Sequence, residues 1–71
     1  MYFLGKNIKY LRKIKEITQK EFSIILNMSL DTIKSIETER ITPSLETLIK
    51  IRNYFNVNLD DLIFVDLENK S

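Results

Sequence analysis

The sequence predicts an all-α domain of five short helices, and three observations carry that expectation. Apolar residues recur at three- and four-residue spacing through most of the chain, with no β-strand alternation of useful length. Thr18, Ser29, Ser44 and Asn58, all helix-starting residues, stand just ahead of periodic runs. From the first of them runs a stretch, TQKEFSIILNMSLDTIKSIE, that reads as two short helices joined by a tight corner, the second anchored on one side and polar on the other.

The first helix is expected from Phe3 or Leu4 to Lys15, with Leu4, Ile8, Leu11 and Ile14 as its apolar stripe, lysines on the other faces and Arg12 beside the stripe. Glu16-Ile17 is a joint with Ile17 turned inward. The second helix runs from Gln19 to Leu26. Thr18 and Glu21 have the spacing of a capping box ahead of Phe22, Ile25 and Leu26. Asn27 tolerates a left-handed backbone and can end this helix. The third helix covers Leu30 to Thr38. Ser29 caps it and Asp31 suits the positive end of its dipole. Ile33 and Ile36 form its apolar side, leaving Leu30, Asp31, Thr32, Lys34 and Ser35 on the other.

Pro43 biases Thr42 away from helical geometry, so residues 39–43 are expected as a loop with Ile41 facing inward. Ser44 caps a fourth helix whose buried stripe is Leu45, Leu48, Ile51 and Phe55. Asn56-Val57 turns the chain. Asn58 caps a short fifth helix with Asp60 and Asp61 in its first turn and Leu59, Leu62 and Ile63 apolar. Residues 1–65 are expected as one domain and residues 66–71 as a polar, frayed tail.

Composition excludes several kinds of chemistry. With neither cysteine nor histidine, the chain has no disulfide framework, no thiolate or imidazole metal site and no histidine acid–base catalysis. No metal, cofactor or small-molecule ligand is expected. The adjacent carboxylates Asp60 and Asp61 are explained by helix capping, so an enzyme is not expected. No apolar run approaches the roughly 20 residues of a membrane span, and no signal peptide is recognisable. A cytoplasmic protein is the expectation. Residues 1–20 hold six basic side chains against one acidic, whereas residues 21–71 hold five against nine. The positive charge is therefore a local patch, or simply the solvated face of one helix.

TQKEFS at the second helix, SLDTIKSIE at the third, ITPSLETLIKI and the NVNLDDL ending together resemble the lambda repressor/Cro-like (XRE-type) helix-turn-helix family over Leu4 to about Ile63. The resemblance implies a five-helix lambda repressor-like domain, its helix-turn-helix formed by the second and third helices. It implies sequence-specific binding of double-stranded DNA by a bacterial or phage-encoded transcriptional regulator, of repressor type, acting as a homodimer on a palindromic operator. Gln19 matches a glutamine that contacts a DNA phosphate and braces the reading helix. Arg12 and Glu37 match a structural ion pair between the first and third helices. Ile36 and Pro43-Ser44 also match.

The DNA-binding residues then expected are Thr18, Gln19, Ser29, Leu30, Asp31, Thr32, Lys34, Ser35, Thr38 and Arg40. Leu30, Thr32, Lys34 and Ser35 would face base edges, and Thr18, Gln19, Thr38 and Arg40, with Lys20, would hold phosphates. Asp31 either accepts from cytosine or only caps its helix. Leu62, Ile63, Phe64 and Val65 are expected to form the dimer interface or, alternatively, to close the core. The chain departs from the family at Ser23, Arg52 and Tyr54, where alanine is common, and at Asn27 and Glu39, where glycine is usual. Asp31, Glu39 and the near-zero net charge leave a second reading open, an antitoxin or adaptor that docks on protein.

Overall fold

Five helices, α1 (Leu4–Ile14), α2 (Gln19–Leu26), α3 (Leu30–Glu37), α4 (Leu45–Phe55) and α5 (Leu59–Phe64), followed by a 3-10 turn (Leu67–Asn69), account for most of the chain. The computed structural model describes residues 2–70. Residue 1 of the expected domain and residue 71 of the expected tail lie outside them.

Local chemistry sets the helix starts. Thr18, Ser29, Ser44 and Asn58 are all extended N-caps whose side chains accept a hydrogen bond from the following turn. The helix ends share one device. After α1, α2, α3 and α4 a residue with positive φ, namely Glu16, Asn27, Glu39 and Asn56, turns the chain. The next residue donates back over the last turn: Ile17 to Arg12, Met28 to Ser23, Arg40 to Ser35 and Val57 to Arg52. These are Schellman ends, in which glycine is the usual left-handed residue.

The only glycine in the sequence is used elsewhere, in the first turn of α1. A Cβ on Gly5 would lie 2.6 Å from the carbonyl oxygen of Glu37 and 2.8 Å from that of Ile36. The C-terminal carbonyls of α3 thus rest against the N-terminus of α1. The two helix dipoles meet with opposite ends together, a favourable arrangement that only a side-chain-free residue permits.

The core is Leu4, Ile8, Phe22, Leu26, Ile33, Ile36, Leu48, Ile51, Phe55 and Leu62. Phe22 sits at its centre, 5.3 Å from the Phe55 ring and 5.8 Å from Tyr54. Leu11, Ile17, Leu59 and Ile63 pack against it partly buried, and four other expected core residues are exposed. Ile14, Ile25 and Leu45 are exposed by 58%, 46% and 64%. Each sits at an edge of its stripe. On α1 the inward line runs Leu4, Ile8, Arg12, so Ile14 points away. On α2, Phe22 and Leu26 set the inward face, and on α4, Leu48, Ile51 and Phe55 do. Ile41 is exposed as well, because Arg40 and Ile41 both donate to the Ser35 carbonyl and fold the loop back on α3. Pro43 takes the inward place.

The tail also differs from the frayed segment expected. Asn7, wholly buried, donates through Nδ2 to the carbonyls of Leu62 and Val65 at 2.7 and 2.6 Å, and its Oδ1 accepts from Leu67 N–H at 3.0 Å. Lys6 pairs with Asp66 at 2.8 Å. This bond to Lys6, helped by one from Asn69, holds the Asp66 carboxyl below the usual range. Buried side-chain amide bonds of this kind pin α5 and the tail to α1.

Alanine in place of glycine normally favours a helix. At position 5 the sign should reverse. Gly5→Ala is expected to cost about 1–3 kcal/mol through the forced separation of α1 from α3. For a chain of this size that is a fall of several degrees in melting temperature, on the order of 4–8 °C per kcal/mol, read by thermal circular dichroism.

Candidate nucleic-acid interface

α3 is held from behind at its last residue. Glu37 receives Arg12 Nε at 2.8 Å on one oxygen and Arg12 Nη2 at 3.2 Å on the other. The two side chains are 9% (Arg12) and 2% (Glu37) exposed. Arg12 Nη1 also donates to the Ile17 carbonyl at 2.9 Å, which fixes the joint before α2. Gln19, the first residue of α2, donates its side-chain amide to Glu37 at 3.1 Å. One carboxylate therefore joins α1, α2 and α3, and the forked geometry suits a guanidinium and not an ammonium. Ser23, on the buried side of α2, satisfies its hydroxyl on the Lys20 carbonyl at 2.6 Å.

With Ile33, Ile36 and Glu37 turned inward, the outer face of α3 carries Leu30, Asp31, Thr32, Lys34 and Ser35. Asp31 and Lys34 are exposed, while Leu30, Thr32 and Ser35 are half-buried. Ser29 accepts from Thr32 N–H at 3.1 Å and shares a second bond with the Thr32 hydroxyl at 2.7 Å. That pairing engages the Thr32 hydroxyl. Asp31 sits in the first turn of α3, where its charge suits the helix dipole.

The flanking groups differ in what they can donate. Thr18 accepts from Glu21 N–H at 3.0 Å. Glu21 returns the bond, accepting from Thr18 N–H at 2.8 Å, which completes the capping box. The Thr18 backbone bond, then its hydroxyl, hold the Glu21 carboxyl below the usual carboxylate range. Gln19 has one amide hydrogen committed to Glu37 and a second to offer. Thr38 differs: its hydroxyl donates to the Lys34 carbonyl at 2.8 Å and its N–H to the same carbonyl at 3.0 Å. A phosphate contact from Thr38 would require that hydroxyl to turn away from the helix end. Arg40 is exposed on the loop after α3.

The basic patch of the first twenty residues is partly spent inside the fold. Arg12 is buried in its ion pair, Lys6 holds Asp66, and Lys15 lies over the Tyr54 ring at 5.1 Å. Lys9, Lys13 and Lys20 remain exposed. Sequence reasoning missed Gly5, Asn7 and the Gly5–Glu39 bond described below. A single glycine inside a helical run was the available signal for the first; an isolated Asn beside the Leu4–Ile8 stripe was the signal for the second. Of the expected dimer residues, Leu62 is fully buried in the core and cannot face a partner. Phe64 is exposed and packs on Tyr2 with ring centroids 4.8 Å apart, and Ile63 and Val65 are half-buried. No helix among the described residues is long and apolar enough to cross a membrane.

Residues 8–62 match the helix-turn-helix family HTH_3. The chain is 32% identical over 63 residues to an uncharacterised HTH-type transcriptional regulator of Methanocaldococcus jannaschii, covering 89% of this chain and 96% of that protein. It is 34% identical over 67 residues to the HTH-type transcriptional regulator ImmR of Bacillus subtilis, covering 94% of this chain and 53% of ImmR. It is 36% identical over 63 residues to the antitoxin PezA of Streptococcus pneumoniae, covering 89% of this chain and 40% of PezA. The chain thus spans nearly all of the first relative and about half or less of the other two.

The joint at Glu37 carries a direct stability test. Arg12→Met alone leaves a carboxylate buried without its counter-charge and is expected to cost about 3–5 kcal/mol in urea denaturation. The double change Arg12→Met with Glu37→Leu should recover part of that loss. A double variant no more stable than the single one would mean that the Glu37 carboxylate left without Arg12 is not the source of the loss.

Proposed function

We propose, because the chain belongs to the helix-turn-helix family of DNA-binding transcription regulators, that it reads a specific double-stranded sequence and acts as a repressor-type regulator. The observation that carries this reading is α3 itself. It is fixed to the core by Ile33, Ile36 and the Arg12–Glu37–Gln19 joint, and turns a short-chained polar face outward. In a major groove, Lys34 would donate to guanine O6 and N7 or to a phosphate, and the Thr32 methyl and Leu30 would meet thymine methyls. Ser35 would bond to a base edge, and Asp31 would either accept from cytosine or serve only the dipole. Thr18, Gln19, Ser29 and Arg40, with Lys20, would meet phosphates, and the amides at the start of α2 offer an anion site.

One such unit covers little DNA, so we further propose a two-fold dimer on half-sites about one helical turn apart. The surface at the end of α5 suits it once Leu62 is removed from the set: Phe64 is 54% exposed and Tyr2, against it, 76%. The likeness to a protein named as an antitoxin favours a second reading, in which the module also docks on a protein. Salt dependence separates the two, because phosphate contact releases counterions.

Lys34→Ala is expected to weaken binding to a pool-selected oligonucleotide by about 1–3 kcal/mol with an unchanged melting temperature. Fluorescence anisotropy gives the first quantity and thermal denaturation the second. Binding that does not weaken as salt rises would remove phosphate contact as its basis. For the dimer, Phe64→Ser should shift sedimentation towards monomer at concentrations where the parent self-associates, and a parent that stays monomeric at tens of micromolar with operator bound ends that proposal.

A further inference from the structure

Glu39 stands where a left-handed backbone is required, with φ of 60°. A glutamate there costs free energy that glycine would not. Its carboxylate, however, accepts the Gly5 N–H at 2.6 Å, across 34 residues of sequence. α1 has no cap of its own to offer this amide: its N-cap is Phe3, whose side chain makes no capping bond, and its first turn holds no acidic residue. Glu39 therefore supplies both the acceptor and the negative charge that the start of α1 lacks.

The location of this bond gives it a second consequence. Glu37 ties the end of α3 to Arg12, and Glu39 ties the turn after α3 to Gly5. The two attachment points on α1 are seven residues apart, about 10 Å along the helix axis. The joint at Arg12 fixes α3 at its last residue, and the second bond, nearer the start of the same rigid helix, holds the turn that leaves it. The bond also turns the Glu39 carboxylate towards α1.

We propose that Glu39 is a positioning residue for DNA recognition: its bond to Gly5 sets the direction of α3 and orients its own charge at the N-terminus of α1 instead of at the phosphates flanking Arg40. The proposal rests on the DNA-reading function above. It asks for two variants. Glu39→Gln keeps an oxygen acceptor without the charge. Glu39→Gly relieves the backbone and removes the acceptor, so the loss of the cap and the relief at φ of 60° oppose each other, and the variant is expected to fold with a melting temperature near the parent's.

Three readouts decide it: the exchange rate of the Gly5 amide by NMR without DNA, the affinity for a pool-selected oligonucleotide, and the affinity for mixed genomic DNA. In Glu39→Gly the Gly5 amide should exchange about tenfold faster, and the ratio of selected to mixed affinity should fall about tenfold while mixed affinity holds. Glu39→Gln should stay within about threefold of the parent in both readouts, because the amide oxygen still accepts. If both variants instead bind both DNAs more tightly, the carboxylate acts on phosphate by charge and the proposal is overturned. An unchanged Gly5 exchange rate or an unchanged affinity ratio in Glu39→Gly overturns it as well. A parent that does not distinguish the two DNAs overturns it through its premise, a failure recognisable because the exchange rate reports the Gly5 bond without DNA.

Discussion

The Glu37 carboxylate, buried at the end of α3 and met by Arg12 from α1 and Gln19 from α2, is the interaction on which the placement of the other parts depends. An ionised carboxylate withdrawn from water is tolerated only when a counter-charge and hydrogen bonds replace its hydration. Neither partner comes from α3, so its burial becomes favourable only after three helices have taken their mutual positions. The guanidinium also reaches the Ile17 carbonyl, so the joint that launches α2 is set by the same group. A purely apolar seam would let α3 slide or rotate by small steps at little cost. A forked ion pair has one acceptable geometry, and the reading face inherits it.

That joint works beside two other polar devices along α1. Gly5 lets the carbonyl end of α3 come into contact with the start of the helix, and Asn7 gathers the end of α5 and the tail onto its other side. α1 is therefore a polar spine as much as an apolar one: its buried residues are Leu4, Gly5, Asn7, Ile8 and Arg12. The distribution of glycine follows from this. Four left-handed turns are served by Asn and Glu, which can bear a positive φ at a cost of about 1–2 kcal/mol each. A side chain at position 5 would meet the α3 carbonyls and the Glu39 carboxylate, an obstacle of packing and not of torsion.

What was legible in the sequence was what is local. The caps at Thr18, Ser29, Ser44 and Asn58 each involve partners within three residues, and the left-handed Asn27 end of α2 follows from one residue type. The central positions of each apolar stripe follow from helical periodicity alone. The edges of the stripes do not, because a residue such as Ile14, Ile25 or Leu45 is core or surface according to which neighbour arrives, and periodicity is silent on neighbours. Arg12 and Glu37 were visible only through resemblance to a family, being 25 residues apart. The Gly5–Glu39 bond and the Asn7 contacts span 34 to 60 residues and have no local signature. Leu62 shows the same limit in reverse: in sequence it belongs to an apolar run, and only the packing of α5 separates it from the exposed Phe64.

The resulting surface is poor in charge for a nucleic-acid partner. Arg12, Lys6 and Lys15 are turned to internal uses, and the outer face of α3 offers one lysine and one aspartate. Each phosphate that a protein neutralises on duplex DNA adds about 0.9 to the salt dependence of binding and supplies affinity without regard to sequence. A unit with few such contacts has little of that indifferent affinity. Beside Lys34, its proposed recognition then rests on short groups, the Thr32 methyl, the Ser35 hydroxyl and Leu30, whose contacts fail with displacements of an ångström or so, where a flexible lysine would simply follow. Short reach therefore demands a firmly held helix, and the buried Arg12–Glu37 pair, with Gln19 beside it, holds α3 in that way.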